Sequence, residues 1–414
     1  MQTAINETIK KTALGKQADS ILRTCVHCGF CNATCPTYQL LSDELDGPRG
    51  RIYLIKQALE GQSVTDKTQR HLDRCLTCLA CETTCPSGVH YSHLLEIGRE
   101  WVEQRVSRPW HDALKRRALR LILPYPKRFK PLLRIGQWLR PVLPFKVRKN
   151  IPVHQPATLA WPNAQHSRTM LILDGCVQPG LVPNINAAAA QVFDRLGISL
   201  QRATGCCGAI SQHLAAPEEA RQVMRHNIDT WWPLIEAGAE ALVITASGCG
   251  SIVKEYGYYL RADPNYAKKA EHISTITRDI SEVLAALDLS AFQAVGKNRK
   301  IAFHAPCSLQ HAQKITGVVE PILASVGFQL TGVPDAHLCC GSAGTYSILQ
   351  EGLSQRLLEA KIYALKSESP ELIATANIGC LTHLASVAAI PVVHWIELLA
   401  DVDNRARPSR FPKP

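Results

Sequence analysis

Apolar positions along this chain follow two rhythms, and the change between them falls near residue 168. Before it, apolar residues recur at helical spacing. Residues 1–24 read as an amphipathic helix. Ile52, Leu54, Ile55, Ala58 and Leu59 follow a turn at Gly47-Pro48 and suit a second helix. Leu94, Leu95, Ile97, Trp101 and Val102 mark another within 87–107. Beyond residue 168 short apolar runs take over: 170-MLILDGC-176, 241-ALVITASGC-249, 300-KIAFHAPC-307 and 372-LIATANIGC-380. They read as buried strands, with helical stretches such as Pro217–Ala237 and Thr277–Leu287 between them. The pattern predicts an α+β multidomain chain. A helical domain at 1–104 and a linker at 105–167 precede two α/β units at 168–296 and 297–402, with a tail at 403–414.

The two α/β units are an internal repeat. Cys176, Cys206-Cys207-Gly208 and Cys249 recur in the same order as Cys307, Cys339-Cys340-Gly341 and Cys380, at offsets of 131, 133 and 131 residues. Parallel sheets place their sites at the C-terminal ends of strands. Each unit is therefore expected to gather its four thiols at one place, with a tight turn at Gly208. At most one metal centre per unit fits this set, and a docking surface with purely structural thiols fits it as well. His304, His311, His337 and His383 lie near the second set, and for each a hydrogen-bonded core role is expected ahead of a ligand role. The stretch 248-GCGSIV-253 opens like a dinucleotide loop but has Val253 in place of the third glycine, so it carries little weight.

The helical half holds the more specific signal. Residues 25-CVHCGFCNATCP-36 and 75-CLTCLACETTCP-86 both read C-x2-C-x2-C-x3-C-P, the run that holds [4Fe–4S] cubes in bacterial ferredoxins. Three thiolates on one curled loop meet three corners of a cube, and the fourth cysteine, just before proline, serves the other cube. This assigns Cys25, Cys28, Cys31 and Cys85 to one cluster, and Cys75, Cys78, Cys81 and Cys35 to the second. Structural zinc uses C-x2-C pairs too, but does not require two copies of this longer run. Arg23, Arg49, Arg51 and Arg74 lie near enough in sequence to offset the clusters' negative charge.

Sixteen cysteines in 414 residues, with no apolar leader at the start and no run of 18 apolar residues, point to metal ligands in a cytoplasmic chain. Charge is concentrated. Residues 105–149 carry nine arginines and five lysines against one acid, Asp112, while the whole chain is only +11. Two amphipathic pieces lie within it. One sets Leu114, Ala118 and Leu121 against Arg116, Arg117 and Arg120; the other sets Leu132, Ile135 and Leu139 against Arg134, Gln137 and Arg140. Such a segment suits an anionic membrane surface or an acidic partner subunit. No groove-reading motif accompanies it, so no nucleic-acid partner is expected.

These residues carry a family resemblance. A two-run cysteine domain followed by paired Cys-Cys-Gly units resembles the iron–sulfur subunits of flavin-linked hydroxy-acid dehydrogenases. It also resembles the membrane-linked subunit of anaerobic glycerol-3-phosphate dehydrogenase and the Cys-Cys-Gly subunits of heterodisulfide reductase. The stretches 23-RTCVHCGFCNATCPTYQLLSDELDGPRGRIYLIK-56, 245-TASGCGSIVKEYG-257, 338-LCCGSAGTYS-347 and 375-TANIGCLTHL-384 are most similar to the iron–sulfur subunits of glycolate oxidases. The resemblance implies two [4Fe–4S] clusters in this chain and FAD only in partner subunits that oxidise glycolate to glyoxylate. It implies electron delivery toward a membrane quinone or another respiratory acceptor, from a peripheral position on the inner face of the cell membrane. Lactate or glycerol 3-phosphate as the partner's substrate, and disulfide reduction at the repeats' own thiols, are the alternatives. One departure stands out. Heterodisulfide reductase relatives end each unit in C-x-x-C, whereas 249-CGSI-252 and 380-CLTH-383 each lack the second cysteine.

Overall fold

The computed structural model describes residues 1–144, 148 and 151–400. Lys146 and Lys149 of the basic segment, residues 401–402 and the tail at 403–414 lie outside the described residues.

The N-terminal half is helical, as its spacing predicts. The expected first helix is two pieces, Glu7–Lys10 and Ala13–Thr24. Thr12 takes extended backbone between them, and its hydroxyl accepts from the Gly15 N–H at 3.0 Å, so it caps a fresh helix. Helices Pro48–Leu59, Asp66–Asp73 and Tyr91–Glu103 then close over Leu22, Ile55, Leu59, Leu72, Leu94 and Leu95, all fully buried. Pro48 opens its helix where a missing N–H costs nothing. Gly50 lets that helix touch the turn Glu44–Asp46 backbone to backbone, since a Cβ there would stand 2.0 Å from the Glu44 carbonyl oxygen. This contact sets Arg49 and Arg51 beside the cysteine runs.

The second half is two parallel four-stranded sheets of the same topology. Strands β1 (Arg168–Leu173), β2 (Ile198–Ala203), β3 (Leu242–Ile244) and β4 (Thr277–Asp279) lie in the order β2-β1-β3-β4. Strands β5 (Lys300–His304), β6 (Gln329–Leu330), β7 (Leu372–Thr375) and β8 (Val392–His394) repeat it as β6-β5-β7-β8. The four apolar runs are the central strands β1, β3, β5 and β7. Thr277–Leu287 is not wholly helical: Thr277–Asp279 pairs with β3, and Asp279 then caps helix Ile280–Ala285. The carboxylate of Glu282 accepts from the Asp279 N–H at 2.7 Å and completes a capping box.

One apolar core runs through both sheets, from Ile172 and Phe193 to Trp395 and Leu399. The Ser247 N–H donates to the Ala376 carbonyl at 3.1 Å, and His394 Nε2 lies 2.8 Å from the Thr245 carbonyl oxygen. The helical half leans on both repeats. His93 stacks on Tyr258 at 3.7 Å, while the Tyr346 hydroxyl donates to the Arg74 carbonyl at 3.1 Å.

The basic segment forms helices Trp110–Ile122 and Pro126–Leu139. Arg116 is buried, with Asp112 and Asp73 each 3.0 Å away. Leu114 and Leu121 face outward.

Replacing Gly50 with alanine should lower stability by about 1–3 kcal/mol, because backbone must move to admit the methyl group. Thermal unfolding checks this against Gly352→Ala, whose added Cβ meets nothing within 4 Å and should leave the midpoint nearly unchanged.

Candidate metal centres

Both cysteine runs curl through left-handed backbone. His27 (φ 61°) and Gly29 (φ 89°) are matched by Thr77 (φ 55°) and Leu79 (φ 61°) at the same places in the second run. Only glycine takes this conformation freely, so three side-chain-bearing residues there mark loops held by their surroundings. The curl turns N–H groups toward sulfur: Thr77 donates to Cys75 Sγ at 3.4 Å.

The fourth cysteine of each run crosses to the other loop. Cys25, Cys28 and Cys31 line one pocket together with Cys85, Cys81, Tyr91 and Arg49. Burial, and then the charges of Cys25, Cys85 and Cys28, push the Cys31 thiol up to about 11. Cys35 stands instead with Cys75, Cys78 and Cys81. Burial raises Cys78 well above the usual thiol range, and Cys307, Cys35 and Cys75 add repulsion. Burial likewise raises Cys81, with Cys78, Cys75 and Cys35 adding to it. Thiols this crowded ionise together only when a cation gathers them. Two all-sulfur sets of four, with backbone N–H groups aimed at sulfur, fit a pair of [4Fe–4S] cubes.

Cys75 is the exception among these buried thiols. Burial raises it, but Arg51 and Arg99, helped by the Tyr91 hydroxyl at 3.5 Å and the Thr77 N–H, bring it below the ordinary value. Arg51 is 1% exposed. Its guanidinium donates to Thr37 Oγ1 at 3.1 Å and to Asp46 Oδ1 at 3.4 Å, and Thr37 Oγ1 lies 3.3 Å from Cys35 Sγ. Among the four arginines singled out by sequence, Arg51 and Arg49 reach the cysteine pockets. Arg74 pairs with Asp46 at 2.8 Å, and Arg23 pairs with Asp19 at the surface. Proximity in sequence missed Arg99 and Tyr91. Both project from helix Tyr91–Glu103, and Arg99 donates to the Leu72 and Cys75 carbonyls at 2.9 and 2.8 Å.

Each repeat gathers its thiols at the strand ends. In the first, the neighbouring thiols of Cys176 and Cys207 hold Cys206 well below the usual thiol range, and Cys207 stands beside Cys206 and Cys249, which raise it. In the second, Cys307 Sγ and Cys339 Sγ lie 3.7 Å apart, and Cys340 stands beside Cys339 with its sulfur within 4.8 Å of that of Cys380. Gly208 (φ 93°) and Gly341 (φ 87°) supply the expected left-handed turns. The two sets differ in surroundings. Cys307 and Cys339 share an apolar cluster with Cys78, so the second repeat abuts the inner thiol pocket. Of the four histidines, His311 bonds Thr83 Oγ1 and the His337 carbonyl, each at 2.9 Å, and His383 Nε2 bonds Ser354 Oγ at 3.1 Å. His337 is half-buried. His304 departs from the expectation: it is buried, burial holds its imidazole down to about 3, and its Nε2 has no hydrogen-bond partner among the described residues.

Comparison with known proteins matches residues 21–89 to the 4Fe-4S dicluster domain family, and residues 170–254 and 301–385 to the cysteine-rich domain family. Fold and thiol geometry thus define an iron–sulfur protein of the electron-transfer class. The chain is 56% identical over 401 residues to the glycolate oxidase iron-sulfur subunit of Escherichia coli, covering 96% of this chain and 98% of that protein. It belongs to the family of glycolate oxidase iron–sulfur subunits. A probable glycolate oxidase iron-sulfur subunit of Bacillus subtilis is 29% identical, with 88% of each chain covered. The lactate utilization protein A of the same organism is 25% identical over 54% of this chain and 95% of that protein.

Exchanging single ligands checks the crossed arrangement. Cys35→Ala should damage the centre at Cys75, Cys78 and Cys81, and Cys85→Ala the centre at Cys25, Cys28 and Cys31. Low-temperature electron resonance of the reduced protein distinguishes the two, and loss of the same signal in both variants would contradict it.

Proposed function

We propose that this chain is the electron-relay subunit of a flavin-dependent glycolate dehydrogenase complex, in which partner subunits holding FAD oxidise glycolate to glyoxylate. The observation that carries the reading is the unequal exposure of the two thiol pockets. Cys28 is exposed, and Val26 and Phe30 beside it are 66% and 63% exposed, which offers an apolar edge to a docking protein. The pocket of Cys75, Cys78 and Cys81 is buried, with Cys307 and Cys339 as neighbours. A relay requires an end that its donor can reach, and burial of the second pocket shields it from side reactions with solvent. Held at the two sets of Cys25, Cys28, Cys31, Cys85 and Cys75, Cys78, Cys81, Cys35, iron–sulfur cubes supply reversible one-electron chemistry. Arg51 and Arg99 keep positive charge beside Cys75, which favours the reduced, more negative state there. Val26 and Phe30 orient the donor.

The likeness to glycolate oxidase subunits supports glycolate over lactate or glycerol 3-phosphate as the partner's substrate. In the native complex, anaerobic glycolate should bleach the iron–sulfur absorbance. The isolated chain should not respond. Bleaching by lactate but not glycolate would reassign the substrate, and turnover by the isolated chain would overturn the relay reading.

The basic segment supports a peripheral site on the inner face of an anionic membrane, with electrons leaving toward a quinone or another respiratory acceptor. No helix among the described residues is long and apolar enough to cross a membrane. Leu114, Leu121, Tyr125, Leu132, Ile135, Trp138 and Val142 are exposed, and Arg117, Lys127, Arg128, Lys130 and Arg134 are exposed among them. Outward apolar side chains rimmed by cations suit a headgroup layer, where each basic residue is worth about 1 kcal/mol. Replacing those five cations with glutamine should release the complex from vesicles containing anionic lipid. Unchanged binding in a sedimentation assay would point to a protein partner on this surface.

A further inference from the structure

The two repeats share their topology and their cysteine order, yet the second contains a donor that the first lacks. His304 ends β5, three residues before Cys307. One ring nitrogen of His304, Cys340 Sγ and Cys380 Sγ all lie within 4.8 Å of one another. The three residues are 2%, 1% and 4% exposed, so bulk solvent does not reach them. A buried imidazole nitrogen normally finds a hydrogen-bond partner, because leaving it dry and unpaired costs its full desolvation. Among the described residues His304 Nε2 has none. Neutral imidazole with two thiolates is a ligand set typical of zinc and of iron. Asn377 Nδ2 lies 3.5 Å from Cys380 Sγ, the kind of donor that orients a ligating thiolate from outside.

The first repeat makes the comparison internal. Leu173 ends β1 three residues before Cys176, in the place that His304 holds before Cys307. The leucine side chain has no lone pair, so at the matching place Cys207 and Cys249 meet no imidazole. Among the described residues, the clusters of histidine, cysteine and acid side chains close enough to hold an ion are this one and Asp43, Asp46 and His71. The latter is already occupied, because Asp46 neutralises Arg51 and Arg74.

We infer that the second repeat binds a borderline-soft metal ion, zinc or iron, through His304, Cys340 and Cys380, and that the first repeat does not bind one in this way. Three protein ligands leave one tetrahedral position for a neighbouring thiol or a small exogenous ligand. The nearest sulfurs on the other side, Cys307 and Cys339, share the apolar cluster of Cys78, which places this centre next to the inner end of the relay. The inference rests on the relay reading only for that adjacency, and its test reads the cubes separately.

The experiment uses the full chain, purified without air, as wild type and as His304→Gln and Cys340→Ser. Elemental analysis counts zinc and iron. X-ray absorption at the zinc edge, or Mössbauer spectra of iron-57-enriched protein, reports the ligands, and electron resonance reports the two cubes. The expected result is one metal ion beyond the cubes, with nitrogen and sulfur in its shell. Its affinity should fall at least tenfold in both variants while the cube signals persist. No third centre, an all-sulfur shell, or full occupancy in His304→Gln would overturn the inference. Should either variant fail to fold, the shell of the wild-type metal decides alone. Absent cube signals with the third metal retained would count against the relay reading and leave this site standing.

Discussion

Gathering eight thiolates inside a small helical domain is the constraint on which the rest of this structure depends. Negative charge in a dry interior is expensive, and only cations and backbone N–H groups can offset it there. Arg51 meets that need from within: it is buried, it contacts Thr37 beside Cys35, and its charge acts on Cys75 and Cys35. A guanidinium so placed would itself be unstable alone, which accounts for the fully buried Asp46. That carboxylate is shared by Arg51, by Arg74 at 2.8 Å and by His71 at 3.1 Å. The close contact at Gly50 and the helix opened by Pro48 follow from the same demand, because they fix where Arg51 begins. Buried ion pairs seldom add stability in themselves. Here the network serves to hold a charge where the sulfurs require one.

The chemistry was more legible in the sequence than its surroundings. Cysteine spacing carried the two runs and their crossing, and repeated order carried the duplication, because both depend on residues whose role is written in their type. Central strands β1, β3, β5 and β7 were visible as apolar runs since both of their faces are covered. Edge strand β6 is two residues long and β4 three, too short to leave a periodic signal. Arg99 and Tyr91 were invisible because contacts across a fold leave no mark in spacing. The inward face of helix Trp110–Ile122 was not legible either. Periodicity tells which residues share a face, but not which face turns inward, and at Arg116 the deciding partner is Asp73, 43 residues earlier.

The repeats show how one architecture can support unequal roles. Their sheets have the same strand order and meet through Ser247 and Ala376, so a single core serves both. That shared core frees individual positions at the strand ends to differ without loss of the fold. His304 and Leu173 occupy matching places with opposite chemistry. Among the described residues the second repeat brings Cys307 and Cys339 beside Cys78 of the inner pocket, whereas the first meets the helical domain through Tyr258 and Tyr259, which bond Gln17 and Glu96.

The exposure of Cys28 has a consequence for how the molecule ages in air. A corner that a partner can reach is also a corner that dioxygen can reach, and sulfur and iron at such a corner are the first to be oxidised. Cys75, Cys78 and Cys81 are buried, Cys78 among Leu76, Ala80 and Tyr346, and Cys75 and Cys81 in the helical core with Leu72 and Tyr91. Oxidative damage would therefore begin at the outer pocket and spare the inner one. Because the outer set borrows Cys85 from the second run, its decay would free a thiol one residue before Pro86, next to the loop that supports the surviving centre.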